Sequence, residues 1–140
     1  MVEKILVAVD GSETMERTVR FACDLVKVLG GSLTLIHVVS VPVIINPNVP
    51  FDSAPLAQTG EMILQTAQKQ VEQNGWKAER ILEVDFGNSG HRIVAVARER
   101  GFTLIVMHAR GRSKSATLLL GSVCHTVAHD APCSVLVLRP

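Results

Sequence analysis

The chain has 140 residues, 47% of them hydrophobic, enough to bury a sizeable core as one domain over residues 1–140 and too apolar for a disordered chain. Fourteen Lys and Arg against thirteen Asp and Glu leave a formal charge of +1, and aromatic residues are 4% with no tyrosine. Neither a global basic field nor a set of stacking platforms is present, so nucleic acid is excluded as an expected partner.

The longest apolar tract, Leu33 to Ile45, is broken by Thr34, His37, Ser40 and Pro42 and falls short of the ~20 residues a membrane span needs, so no membrane partner is expected. Cys23, Cys124 and Cys133 are an odd set without a signal-like leader, which implies reduced thiols and a cytoplasmic protein.

Lys4 to Val9 (KILVAV) reads as a buried strand entering the turn Asp10-Gly11-Ser12. Met15, Val19, Ala22, Val26 and Leu29 then repeat at helical spacing, with Ser12 as the expected N-cap and Gly30-Gly31 as the stop. Leu33 to Val39 is a second strand, and the strand-helix-strand order implies a right-handed crossover and parallel pairing.

Ser40 to Pro55 holds four prolines and is expected to be a long surface loop, either a lid or a plain connection. A helix resumes near Leu56 with Pro55 in its first turn and ends at Asn74-Gly75. Trp76 is expected to anchor packing at the sheet margin, and Ala78 to Val84, apolar residues interleaved with charge, to form a strand near an edge.

Phe86-Gly87-Asn88-Ser89 offers two N-cap candidates for a third helix that stops at Gly101. Leu104 to Met107 is an unbroken apolar run, the pattern of a strand buried on both faces, and ends at His108. The loop that follows carries Arg110, Gly111, Arg112, Ser113, Lys114 and Ser115 before Gly121-Ser122 begins a last helix, with Ser122 as its expected cap. Glycines, a helix N-terminus and nearby cations are the groups an anion such as phosphate uses. Asp130-Ala131-Pro132 ends that helix, and Ser134 to Leu138 (SVLVL) closes the chain as a strand.

Five strands alternating with four helices define an open, doubly wound, Rossmann-like α/β sheet that binds ligands beyond the carboxyl ends of its strands. Gly111, nine residues, then Gly121-Ser122-Val123 resembles the G-x2-G-x9-G-[ST] loop of the universal stress protein family, with His108 where the pattern has its first glycine. VAVDGS, LTLIHV, DFGNS, HARG to GSV and APCSVLVLR resemble the family's other landmarks and span nearly the whole chain.

The resemblance implies strand order 3-2-1-4-5 and ATP, with Mg²⁺, bound at the switch point between the first and fourth strands. Asp10 would meet the adenosine end and the backbone around Val38 the adenine edge, with Ala8 also among the cofactor-binding residues. Gly111, Gly121, Ser122 and Val123 would hold phosphates, and Arg110, Arg112 and Lys114 could add charge. At position 108 the imidazole either crowds the phosphate or supplies a donor. The resemblance also implies a homodimer through the edge strand Ser134 to Leu138, acting in stress response through a protein partner.

The sequence holds no G-x4-G-K-[ST] or G-x-S-x-G motif, so any ATP hydrolysis is expected to be slow. Two other readings stand beside this one: a dimeric protein of the same fold that binds no nucleotide, and a metal or redox sensor built on Cys124, His125, His129 and Cys133.

Overall fold

The computed structural model describes residues 3–41, 48, 52, 54–109 and 121–139. Within them run β1 (Lys4–Ala8), α1 (Met15–Leu29), β2 (Ser32–Ser40), α2 (Ala54–Gln73), β3 (Ala78–Asp85), α3 (Ser89–Arg100), β4 (Leu104–His108), α4 (Ser122–Asp130) and β5 (Ser134–Leu138). The strands pair in parallel, in the order β3-β2-β1-β4-β5. The doubly wound α/β architecture and strand order expected from the sequence are therefore those of the molecule.

Successive strand residues point to opposite faces, and here both faces are covered. Ile5, Val7, Leu35 and Val106 pack with Val19 and Val26 of α1 and Leu64 and Val71 of α2. Leu6, Ile36, Ile105 and Met107 pack with Ile93 and Val96 of α3 and Val127 of α4. A strand between two helical layers needs apolar residues at both parities, which is why β1 and β4 read as continuous apolar runs. β3 lies at the edge, as its interleaved charges imply, and half-buried Trp76 packs against the α1–α2 layer beside it.

Two caps differ from expectation. α1 begins at Met15 behind Thr14, and neither Ser12 nor Thr14 caps it with a side chain. Both hydroxyls are engaged elsewhere: the Ser12 and Thr14 oxygens lie 3.0 Å apart, and Thr14 Oγ1 lies 2.7 Å from Nδ1 of His108. Ser122 is the first residue of α4, and Gly121, extended at φ −69°, takes the cap position. Asn88 does cap α3, its side-chain oxygen accepting from Gly90 N–H at 2.8 Å. Of the expected Ser40–Pro55 loop, Ser40 belongs to β2 and Ala54 and Pro55 to α2; residues 42–47, 49–51 and 53 lie outside the described residues.

Candidate functional site: a cavity across the carboxyl ends of β2, β1 and β4

Strand order reverses at β1, which has β2 on one side and β4 on the other, so a crevice is expected beyond its carboxyl end. A cavity of about 350 Å³ lies there. It runs from Ile36, Val38 and Ser40 of β2, past Ala8, Val9 and Asp10, to Met107, His108 and Ala109, and ends on Gly121, Ser122, Val123 and Cys124 at the start of α4. Ser89 and Ile93 close its α3 side.

Seven of the nine residues singled out from the sequence thus line one cavity: Ala8, Asp10, Val38, His108, Gly121, Ser122 and Val123. Arg110 and Gly111 lie outside the described residues, as do Arg112 and Lys114. Ile36, Ser89, Ile93 and Met107 were not singled out, although the sequence carries a signal for them. Ile36 and Met107 share strand parity with Val38 and Ala109, and the Asn88-Ser89 cap sets the start of α3 at the carboxyl end of the sheet.

Beyond β1 the backbone is pinned from β2. Val9 N–H donates to Ile36 C=O at 2.9 Å, and His37 Nδ1–H donates to Val9 C=O at 2.8 Å. Asp10 follows, and its Oδ1 accepts the Ser12 N–H at 2.9 Å, a local turn at the point where the carboxylate also borders the cavity. At the far end, Gly121 N–H is taken by Ala109 C=O at 2.6 Å, and the first amide of α4 to bond back is His125, to Gly121 C=O at 2.9 Å. The Ser122, Val123 and Cys124 amides in between have no intrahelical partner, as at any helix start. Gly121 therefore leaves room for an anion beside these amides rather than donating to it.

His108 is buried, 8% exposed. Parity along β4 puts Met107 on the cavity face and His108 with Val106 on the α1 face. Its ring packs against the first turns of α1, with Thr14 Oγ1 2.7 Å from Nδ1, Ser12 Oγ 3.3 Å from Nε2 and Thr18 Oγ1 3.5 Å from Nδ1. Asp10 Oδ1 stands 4.0 Å from Nε2. Burial lowers the imidazole pKa below its ordinary value, Asp10 acting against that trend and Arg17 with it. The ring is thus held by hydroxyls at the start of α1, while His108 also borders the cavity.

The Cys and His residues near the chain's end do not converge. Cys124 is buried against the α3–α4 core, whereas His125 and His129 are exposed, their rings stacked 6.4 Å apart. Among the described residues, no three His, Cys, Asp or Glu side chains are grouped to hold a metal ion. Burial raises the thiol pKa of Cys124 and Cys133, and burial with Asp24 nearby takes Cys23 up to about 11, which disfavours the thiolate that redox chemistry uses. No helix among the described residues is long and apolar enough to cross a membrane.

Comparison with known proteins agrees with this architecture. The family model described as "Universal stress protein family" matches residues 1–139. Universal stress protein YxiE of Bacillus subtilis is 32% identical, over 99% of this chain and 100% of that protein. A universal stress protein structure from Archaeoglobus fulgidus superposes with a TM-score of 0.78 at 27% identity, covering 98% of both chains. Another from the same organism, in complex with dAMP, gives a TM-score of 0.71 at 25% identity and 98% coverage of both chains. With the fold, the switch-point cavity and these matches in agreement, the chain belongs to the universal stress protein family.

Proposed function

We propose that the chain binds an adenine nucleotide, ATP with Mg²⁺, in the switch-point cavity and acts as a nucleotide-responsive module in the cytoplasmic stress response. The observation that carries this reading is the spatial order of the lining. An apolar recess at Ile36 and Val38 suits a purine, a carboxylate at Asp10 can accept from ribose hydroxyls, and the amides opening α4 suit phosphates. These three stations lie over β2, β1 and β4, about 10 Å from first to last at two interstrand spacings, in the base–sugar–phosphate order of a nucleotide. The cavity volume of about 350 Å³ falls within the ~300–1,000 Å³ of ligand clefts. The dAMP complex of the A. fulgidus relative supports the same ligand class.

The lining groups named above are binding groups, and the proposed mechanism is ligand-biased conformation with little turnover. Orphan amides and the α4 dipole favour the phosphates by roughly 0.3–1 kcal/mol for the dipole alone. The proposed homodimer uses β5, a terminal strand whose Val135, Leu136 and Val137 are only half-buried, and sedimentation should give about twice the 15.1 kDa chain mass.

Two variants localise the site. Gly121→Val places a branched side chain beside the α4 amides and is expected to abolish ATP binding while the circular dichroism spectrum stays native. His125→Ala, on the exposed face of α4, should bind like the parent. If both bind equally well, the cavity is not the nucleotide site.

A further inference from the structure

His108 has no role in the reading just given, although it is a buried titratable group within 4.0 Å of the carboxylate assigned to the ribose. Among the described residues, the charged groups at this end of the α1 layer are Asp10, Glu13, Glu16 and Arg17, with Arg139 after β5; Arg17 is tethered by an Nη1–H bond to the Arg139 carbonyl. Asp10 favours a proton on the ring and Arg17 opposes it. Among the described residues, the hydroxyls of Ser12, Thr14 and Thr18 also surround the ring, able to donate or accept as its tautomer requires.

From this geometry we propose that His108 is a pH-dependent positioning residue for the sugar contact: uncharged, it leaves the Asp10 carboxylate at the cavity, and protonated, it draws that carboxylate towards the ring. The step needs only one proton from solvent, which adds to the ring nitrogen facing Asp10. A 4.0 Å approach then closes to a charge-assisted N⁺–H···O⁻ bond of ~2.8 Å. Forming it draws Oδ1, which also accepts the Ser12 N–H, towards α1 and turns the carboxylate away from the cavity, so proton and sugar compete for its orientation. Burial holds the imidazole below its ordinary value, so the ring charges in mildly acidic solution, and the competition sets in there.

The inference rests on the nucleotide reading, with Asp10 at the ribose, and its test separates the two. ATP and 2′,3′-dideoxy-ATP carry the same triphosphate. The ratio of their affinities therefore cancels phosphate protonation and any attraction of an imidazolium for phosphate, leaving the hydroxyl contact. For the parent protein the ratio is expected to be about tenfold near ~pH 7.5 and to fall towards one near ~pH 5. In His108→Gln it should be the same at both pH values, whatever the absolute affinity.

A parent ratio above one that does not change with pH, or one that changes equally in His108→Gln, would overturn the inference and leave the nucleotide reading standing. ATP binding at neither pH overturns both. Should His108→Gln fail to fold, the ring can be titrated by NMR in the nucleotide-free parent and in Asp10→Asn. The His108 pKa is expected to fall in Asp10→Asn, and an unchanged value would contradict the proposed pairing.

Discussion

His108 puts a neutral imidazole into a nearly dry cluster of hydroxyls, and burial outweighs the pull of Asp10, so the folded chain binds this proton less readily than the unfolded chain. The sign follows from linkage. The contribution is complete above the unfolded value of ~6.5 and is lost as the pH falls through the lower folded value. The denaturant midpoint of the parent is therefore expected to drop between ~pH 7.5 and ~pH 5 by more than that of His108→Gln, the difference isolating this group from every other titration. Equal drops would mean that the ring is solvated in the folded state. The sequence made the identity at position 108 plain, and strand parity told that Met107 and His108 oppose each other. It did not tell which face carries α1, so the direction of the ring was illegible. The hydroxyls that receive it stand 94 residues away in sequence at Thr14 and 90 at Thr18. The same long-range contact explains why Ser12, a good cap by local chemistry, caps nothing.

At the scale of elements, two close approaches depend on a missing Cβ, one at the entry to β1 and β2 and one between α3 and α4. Gly31, at φ +108° between α1 and β2, would bring a Cβ within 1.8 Å of the Glu3 carbonyl oxygen, the acceptor of Ser32 N–H at 2.9 Å. Gly31→Ala combines left-handed strain with a clash against fixed backbone and is expected to cost about 3 kcal/mol in equilibrium unfolding. A cost below about 0.5 kcal/mol would mean that the β1–β2 entry is looser than described. Gly90 lets α3 lie against α4: a Cβ there would meet Thr126 Cβ at 2.8 Å and Val123 carbonyl oxygen at 2.9 Å. Gly90→Ala should cost about 1–3 kcal/mol and also weaken ATP binding, because the α4 turn that it displaces carries the orphan amides. Strands and helices were legible from apolar runs and helical spacing. These approaches were not, since a glycine beside a cap reads locally as a turn residue, and only the packing of two helices shows what its absent side chain would strike.

Across the whole molecule, the topology brings distant segments to one mouth: Ala8 to Asp10, Val38, His108 and Gly121 to Val123 each end a strand or begin a helix on the same side of the sheet. Spacing in the sequence could present these as separate motifs, and strand order turned them into one cavity. The path from base recess to helix amides crosses the switch point, which is where coupling between ligand and partner-facing surfaces would have to start. The account stands on that cavity taking an adenine nucleotide, and calorimetric titration of the nucleotide-free protein with ATP and Mg²⁺ tests it most directly. Saturable heat with Kd near ~10 μM, about −7 kcal/mol, is the expected result. No heat and no competition at millimolar ATP would contradict the nucleotide reading and leave a family member that acts through its protein surfaces alone.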